Sequence, residues 1–178
     1  MSVEQHPPVD PAEAAGFGPA DRASLAGLRW FQRRMGSYQH VQAQQPQTLG
    51  YALHDSPVGL LAWNSQVMGD LDPDTLLTHV SIHWFSGTAG CAPRIYAEHE
   101  RQEPPSGPTT VPLALAQFPD DAHAIRRYAE RDHAAIVSWR EHDRGGHYAA
   151  HQAPDLLVAD LRRFFGGLRE RWAGGQAR

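Results

Sequence analysis

Apolar positions along this chain change their spacing partway. Leu25, Leu28, Phe31 and Met35 recur at steps of three and four, while Arg22, Arg29, Arg33 and Arg34 fill other faces. This predicts an amphipathic helix that begins near Asp21, read as its cap, and ends at Gly36. A second predicted helix opens at Ser56-Pro57, a capping residue followed by proline at the first helical position, and runs through Leu60, Leu61 and Trp63 to Met68, where Gly69 stops it. A third is expected over 73–100, carried by Leu76, Leu77, Val80, Ile82, Trp84 and Phe85, with Gly87 and Gly90 placed to break or kink it before Ile95 and Tyr96. Residues 1–20 contain almost no large apolar side chain and are expected to form a disordered or extended tail.

Past a linker at 101–108, dense in Pro, Gly and Ser, the helical periods give way to a short β-α-β-α series. Strands are predicted at 111–118 and 135–139, a helix at 121–132 and a closing amphipathic helix at 154–171. That order implies parallel strands joined by a crossover helix. Two parallel strands leave both outer edges unpaired, whereas parallel sheets are stable as wider sheets covered on both faces. The expected organisation is therefore a tail at 1–20, a helical region at 21–105, and an α/β region at 106–178 that forms part of a larger domain.

Composition narrows the function classes. The 178 residues suffice for a single domain with a real core, and the net charge of −4 is spread along the chain without a basic block. Neither nucleic acid nor an anionic membrane is suggested as a partner. All sixteen cations are arginine, which reads as a bias towards GC-rich codons. No apolar stretch approaches the roughly 20 residues of a membrane helix, and residues 1–5 lack the pattern of a signal peptide, so a soluble, cytoplasmic protein is expected. The single cysteine, Cys91, has no disulfide or Cys-x-x-Cys partner and is expected to be a small buried residue on a helix.

Near the C-terminus, Arg144-Gly145-Gly146-His147-Tyr148-Ala149-Ala150 follows a predicted strand and precedes a predicted helix. It is one of five motifs. The others are Gln47-Thr48-Leu49-Gly50-Tyr51-Ala52-Leu53-His54-Asp55-Ser56-Pro57-Val58-Gly59-Leu60, Leu76-Leu77-Thr78, Arg94-Ile95-Tyr96 and Phe118-Pro119-Asp120-Asp121. In this order, over about 21–171, they resemble the C-terminal half of α/β-hydrolase epoxide hydrolases of the microsomal and actinobacterial type. The resemblance implies a partial α/β-hydrolase fold: a helical lid followed by the last parallel strands and the C-terminal helix of the core. It also implies a reaction in which an aspartate attacks an epoxide carbon, two lid tyrosines hold and protonate the epoxide oxygen, and a His-activated water hydrolyses the ester to a vicinal diol. Epoxide and water are then the substrates, and no cofactor is required.

Carried onto this sequence, the lid tyrosines are Tyr38 and Tyr96 and the general base is His147. A phenol with pKa near 10 can give both a hydrogen bond and a proton to the developing alkoxide, and neutral imidazole can take a proton from water. The acid that orients the base matches Asp121 by its offset from Pro119. Asp120 is an alternative, and Asp143, four residues before His147, is a weaker one. The family's nucleophile, an Asp on a strand-to-helix elbow, has no counterpart among Asp10, Asp21 or Asp55, and the family's His-Gly-x-Pro oxyanion segment is missing. The sequence is accordingly expected to begin just after the nucleophile's half, which a separate chain would supply, and to be inactive alone.

Other readings follow from other residues. A non-catalytic remnant or interaction module of hydrolase descent would keep these motifs without turnover. His79 and His83, like His147 and His151, are four apart, a spacing at which two imidazoles can share a metal, but neither pair carries the Glu of His-Glu-x-x-His. No Gly-x-Ser-x-Gly occurs, which argues against a serine hydrolase.

Overall fold

The computed structural model describes residues 14–103 and 105–175. They divide into two compact units, Trp30–Pro104 and the remainder.

The unit Trp30–Pro104 is helical. After the end of α1 (Pro19–Arg34) come α2 (Ser37–Gln44), α3 (Pro46–Asp55), α4 (Pro57–Met68), α5 (Pro73–Phe85) and α6 (Arg94–Glu100). Local sequence explains where two of them begin. The Ser56 hydroxyl accepts from Gly59 N–H at 3.0 Å, and Asp72 Oδ1 accepts from Thr75 N–H at 3.0 Å, with proline next in both cases. Each such cap stabilises its helix by about 0.5–2 kcal/mol. Leu53, Leu60, Val80 and Ala89 are buried, with Leu49, Leu61, Trp63, Leu76 and Trp84 packed against them.

Two departures from expectation stand out in this unit. The helix expected over 73–100 is two helices, because Gly87 turns into the left-handed region at φ +69° and the Ser86 hydroxyl donates to Ile82 C=O at 2.6 Å, closing α5. α2 and α3 were not predicted at all. The α2 sequence, Ser-Tyr-Gln-His-Val-Gln-Ala-Gln, has no apolar stripe, and its Val41 is exposed. Tyr38 instead packs edge-on against Phe31 and Tyr96, so tertiary contact supports a helix that periodicity could not reveal. Cys91 corrects the expectation made for it: it is exposed and lies in the turn between α5 and α6, where its thiol donates to Thr88 C=O at 3.2 Å.

The second unit contains the strands β1 (Leu113–Gln117) and β2 (Ile136–Glu141), which pair in parallel with Leu115 beside Trp139 and Gln117 beside Glu141. The crossover between them carries α7 (Arg126–Asp132), and α8 (Ala149–Gln152) and α9 (Pro154–Gly175) follow β2. Arg126 lies over the Trp139 ring on one side of the sheet, 5.5 Å from its centroid. On the other side Arg140 Nε meets Asp160 of α9 at 3.3 Å. An open groove of about 370 Å³ runs between that sheet face and α9, lined by Ala114, Ala116, Ser138, Leu157, Leu161 and Phe164. A two-stranded parallel sheet with one face partly uncovered is what part of a larger α/β domain looks like.

The crossover helix begins at Arg126 rather than at 121. Asp121 Oδ1 accepts from Ala122 N–H at 2.7 Å, holding the chain in a loop, and Ile125 is extended and 1% exposed. Part of the expected tail is packed. Residues 1–13 lie outside the described residues, but Phe17 is 2% exposed, sits edge-on to Tyr128 at 5.8 Å, and joins Leu28 and Ile125 in a buried cluster. Burying one phenylalanine is worth roughly 1.5–3 kcal/mol, enough to order a stretch that composition marks as a tail. Asp21 lies in the first turn of α1, not at its cap. Among the described residues no helix is long and apolar enough to cross a membrane.

Candidate active site

The turn after β2 carries His147. Gly145 has φ +92°, a conformation that favours glycine, and a Cβ there would stand 2.9 Å from Ala153 Cβ and 3.1 Å from Phe118 Cδ1. Gly145 C=O accepts from Asp120 N–H at 3.1 Å, and Asp120 and Gly146 form a parallel bridge. The Gly146 N–H donates to Gln152 Oε1 at 2.9 Å. These contacts hold the turn beside the end of β1, and Asp121 follows that end directly.

The consequence is a histidine–carboxylate pair. His147 Nδ1 lies 3.2 Å from both Asp121 oxygens. Its hydrogen bond to Asp121 raises the imidazole pKa above the ordinary value, more than burial lowers it. Burial pushes the Asp121 carboxyl up, but the hydrogen bonds from His147 and Ala122 N–H and the nearby His147 and His123 charges outweigh it, so the pKa ends below the ordinary value. The side chains are 67% and 36% exposed, and His147 Nε2 bonds to none of the described residues. With Nδ1–H donated to Asp121, Nε2 carries the lone pair on an exposed side chain, an arrangement suited to taking a proton from water.

Asp120 and Asp143 do not meet His147. Asp120 enters the turn through its backbone, and Asp143 is exposed within the turn. In the helical unit, Tyr38 at the start of α2 and Tyr96 in α6 face each other edge-on, with ring centroids 6.1 Å apart and planes at 82°. Both are half-buried. The Tyr38 oxygen accepts from Gln39 Nε2 at 3.3 Å. The four predicted residues thus form two pairs, one in each unit.

Sequence reading missed a second histidine–carboxylate pair five residues away. His142 Nε2 lies 2.7 Å from Asp160 Oδ2, the two side chains are 10% and 14% exposed, and the His142 ring stacks on Phe118 at 4.8 Å. Asp160 Oδ1 also receives Arg163 at 3.0 Å and Arg140 at 3.3 Å. No local pattern links positions 142 and 160. Nor did anything local mark Gln152, whose partner Gly146 lies on the far side of His147 in sequence. Among the described residues no group of three or more His, Cys, Asp or Glu side chains converges, so the four-residue histidine spacings acquire no further ligand.

No protein-family model matches the chain. Similar proteins and structures are nonetheless found. The chain is 34% identical over 167 residues to the "Putative epoxide hydrolase" of Stigmatella aurantiaca, a match covering 87% of this chain and 38% of that protein. It is 32% identical over 161 residues to epoxide hydrolase 1 of Sus scrofa, covering 78% and 36%. Among solved structures, Aspergillus niger epoxide hydrolase matches with a TM-score of 0.77 at 26% identity, over 90% of this chain and 43% of that one. The juvenile hormone epoxide hydrolase of Bombyx mori matches with a TM-score of 0.65 at 23% identity, over 76% and 40%. The chain therefore spans less than half the length of the relatives it matches.

Proposed function

Because this chain is a homologue of the C-terminal part of the epoxide hydrolases and carries part of their α/β-hydrolase fold, we propose that it supplies the acid and base half of an epoxide-opening enzyme. The observation that carries the reading is the Asp121–His147 pair with Nε2 open. A carboxylate nucleophile, for which the described residues hold no strand-to-helix elbow, is supplied by further polypeptide. It attacks an epoxide carbon, the C–O bond breaks, and Tyr38 or Tyr96 gives the developing alkoxide its proton. His147 Nε2 then takes a proton from water as the oxygen adds to the ester carbonyl, Asp121 balances the imidazolium, collapse releases the diol and the carboxylate, and the imidazolium proton passes through solvent to restore the tyrosine.

The test is complementation. The chain is fused to, or co-produced with, the N-terminal part of the Stigmatella relative and given an aryl epoxide, with diol measured by chromatography. Diol is expected from the pair and not from the 178-residue chain alone. His147→Gln in the paired enzyme should leave a covalent adduct heavier by one epoxide in intact mass. Turnover by the lone chain, or undiminished turnover by His147→Gln, overturns the reading. Absence of diol in every pairing favours a non-catalytic hydrolase-derived module.

A further inference from the structure

His147 stands on a short connection between β2 and α8, and such a connection needs something to fix it. From one side the strand end does so, through Asp120 N–H to Gly145 C=O. From the other side stands the Gln152 side chain in the last turn of α8, whose Oε1 accepts from Gly146 N–H at 2.9 Å. Gly146 immediately precedes His147, so the orientation of this peptide sets where the imidazole leaves the backbone. The fit is close: a Cβ on Gly146 would lie 3.0 Å from Asp120 Cβ and 3.1 Å from Gln152 Oε1. α8 is itself anchored, because Ala149 is buried, Ala153 is fully buried, and both pack on Phe118, the residue that leads into Asp120 and Asp121. Gln152 thus links the helix after the histidine to the peptide before it, closing the loop from Gly146 to Gln152 around His147.

We infer that Gln152 is a positioning residue that holds the Gly146 peptide, and through it His147, in register with Asp121. It touches neither His147 nor any reacting atom and acts only by fixing the turn. A side-chain carbonyl suits the task because Gly146 offers a single N–H and Oε1 needs only to accept. When the acceptor is lost, the N–H must find water and the turn gains freedom, which lengthens a pair already at 3.2 Å, the outer end of the hydrogen-bond range.

The inference builds on His147 as the base, but its test reads a proton equilibrium rather than turnover. The ring of His147 is titrated by NMR in the full chain, its signal assigned by its absence in His147→Gln. Among the described residues, the titratable groups beside it are Asp121 at 3.2 Å and Tyr148, whose ring centroid lies 5.0 Å away, with Asp120 and His123 near Asp121, and these stay unchanged. In Gln152→Ala the titration midpoint of His147 should fall by about 0.5 pH unit towards the ordinary value of about 6.5, about a threefold loss of proton affinity. In Gln152→Glu, which keeps an acceptor at the same reach, the midpoint should stay at or above that of the parent. A midpoint unchanged in Gln152→Ala, even with lowered thermal stability, overturns the inference, as does an equal fall in both variants. Should Gln152→Ala not fold, Gln152→Asn, one methylene short of Gly146, carries the same expectation and the same power to refute. A shift without diol formation in the complementation experiment would defeat the functional reading alone, and diol formation without a shift would defeat this one alone.

Discussion

Two histidines five residues apart, both on the chain after β2 and both facing a carboxylate, have opposite environments. His142 meets Asp160 at 2.7 Å with little exposure, stacked on Phe118, and two arginines share the carboxylate. His147 meets Asp121 at 3.2 Å through Nδ1, is 67% exposed, and its Nε2 bonds to none of the described residues. Judged by distance and burial alone, the first pair would be the better candidate for catalysis. It is the poorer one, because its carboxylate is already committed to arginine and its geometry fastens α9 to the end of β2. The second pair gives up burial to keep Nε2 accessible. A short, buried histidine–aspartate contact shared with arginines thus has the form of a clamp, and an exposed one with no arginine on its carboxylate has the form proposed for the base.

The comparison can be broken in several places, and the largest effect should fall on chemistry. In the paired enzyme, His147→Gln should lower ester hydrolysis about 10²–10⁴-fold, the usual share of a general base, while thermal unfolding shifts little because the side chain is exposed. If His142→Gln produced the same kinetic loss without unfolding the chain, the division of roles would be wrong. Next in size is the clamp: Asp160→Ala leaves His142 and two arginines without their acceptor and should cost about 1–3 kcal/mol in chemical denaturation. A cost below about 0.5 kcal/mol would show that the clamp holds nothing.

The smallest effect is one of pH. The folded pKa of His147 is raised, so its contribution to stability is complete below the unfolded value of about 6.5 and is lost as pH rises through the folded value; that of Asp121 is lowered, so its contribution is complete above about 3.9 and is lost as pH falls through the folded value. Between about 3.9 and 6.5 the pair contributes fully. On the proposed reading the base acts in its neutral form, so ester hydrolysis in the paired enzyme should rise with pH through the folded pKa of His147. Asp121→Asn should move that rise down towards about 6.5, whereas Asp120→Asn should leave it in place. A limb that moved with Asp120 instead would reassign the acid.

How far the site could be read in advance differs between its parts. The Gly-Gly-His turn was legible because glycine at a left-handed position followed by a helix start is a local demand, and Gly145 at φ +92° meets it. Asp121 was legible only as one of three carboxylates; that it is the one beside His147 follows from the parallel pairing that brings the end of β1 to the turn. The helix around Tyr38 was not legible, since packing on Phe31 and Tyr96 supports it rather than a repeating apolar face. Phe17 was lost within a composition typical of a tail, although one buried ring gives that stretch its place.

The sequence by itself determined the helix starts at Ser56-Pro57 and Asp72-Pro73, the parallel character of the strands, and the residue types from which a proton-transfer pair could be built. These depend on backbone propensities and on side chains within a few residues of one another. Only the tertiary structure decided which aspartate meets which histidine, and which of the two pairs is buried with its carboxylate shared by arginines. Partners 18 and 26 residues apart leave no mark on local spacing, and burial, which separates a clamp from a base, is a property of the folded chain alone.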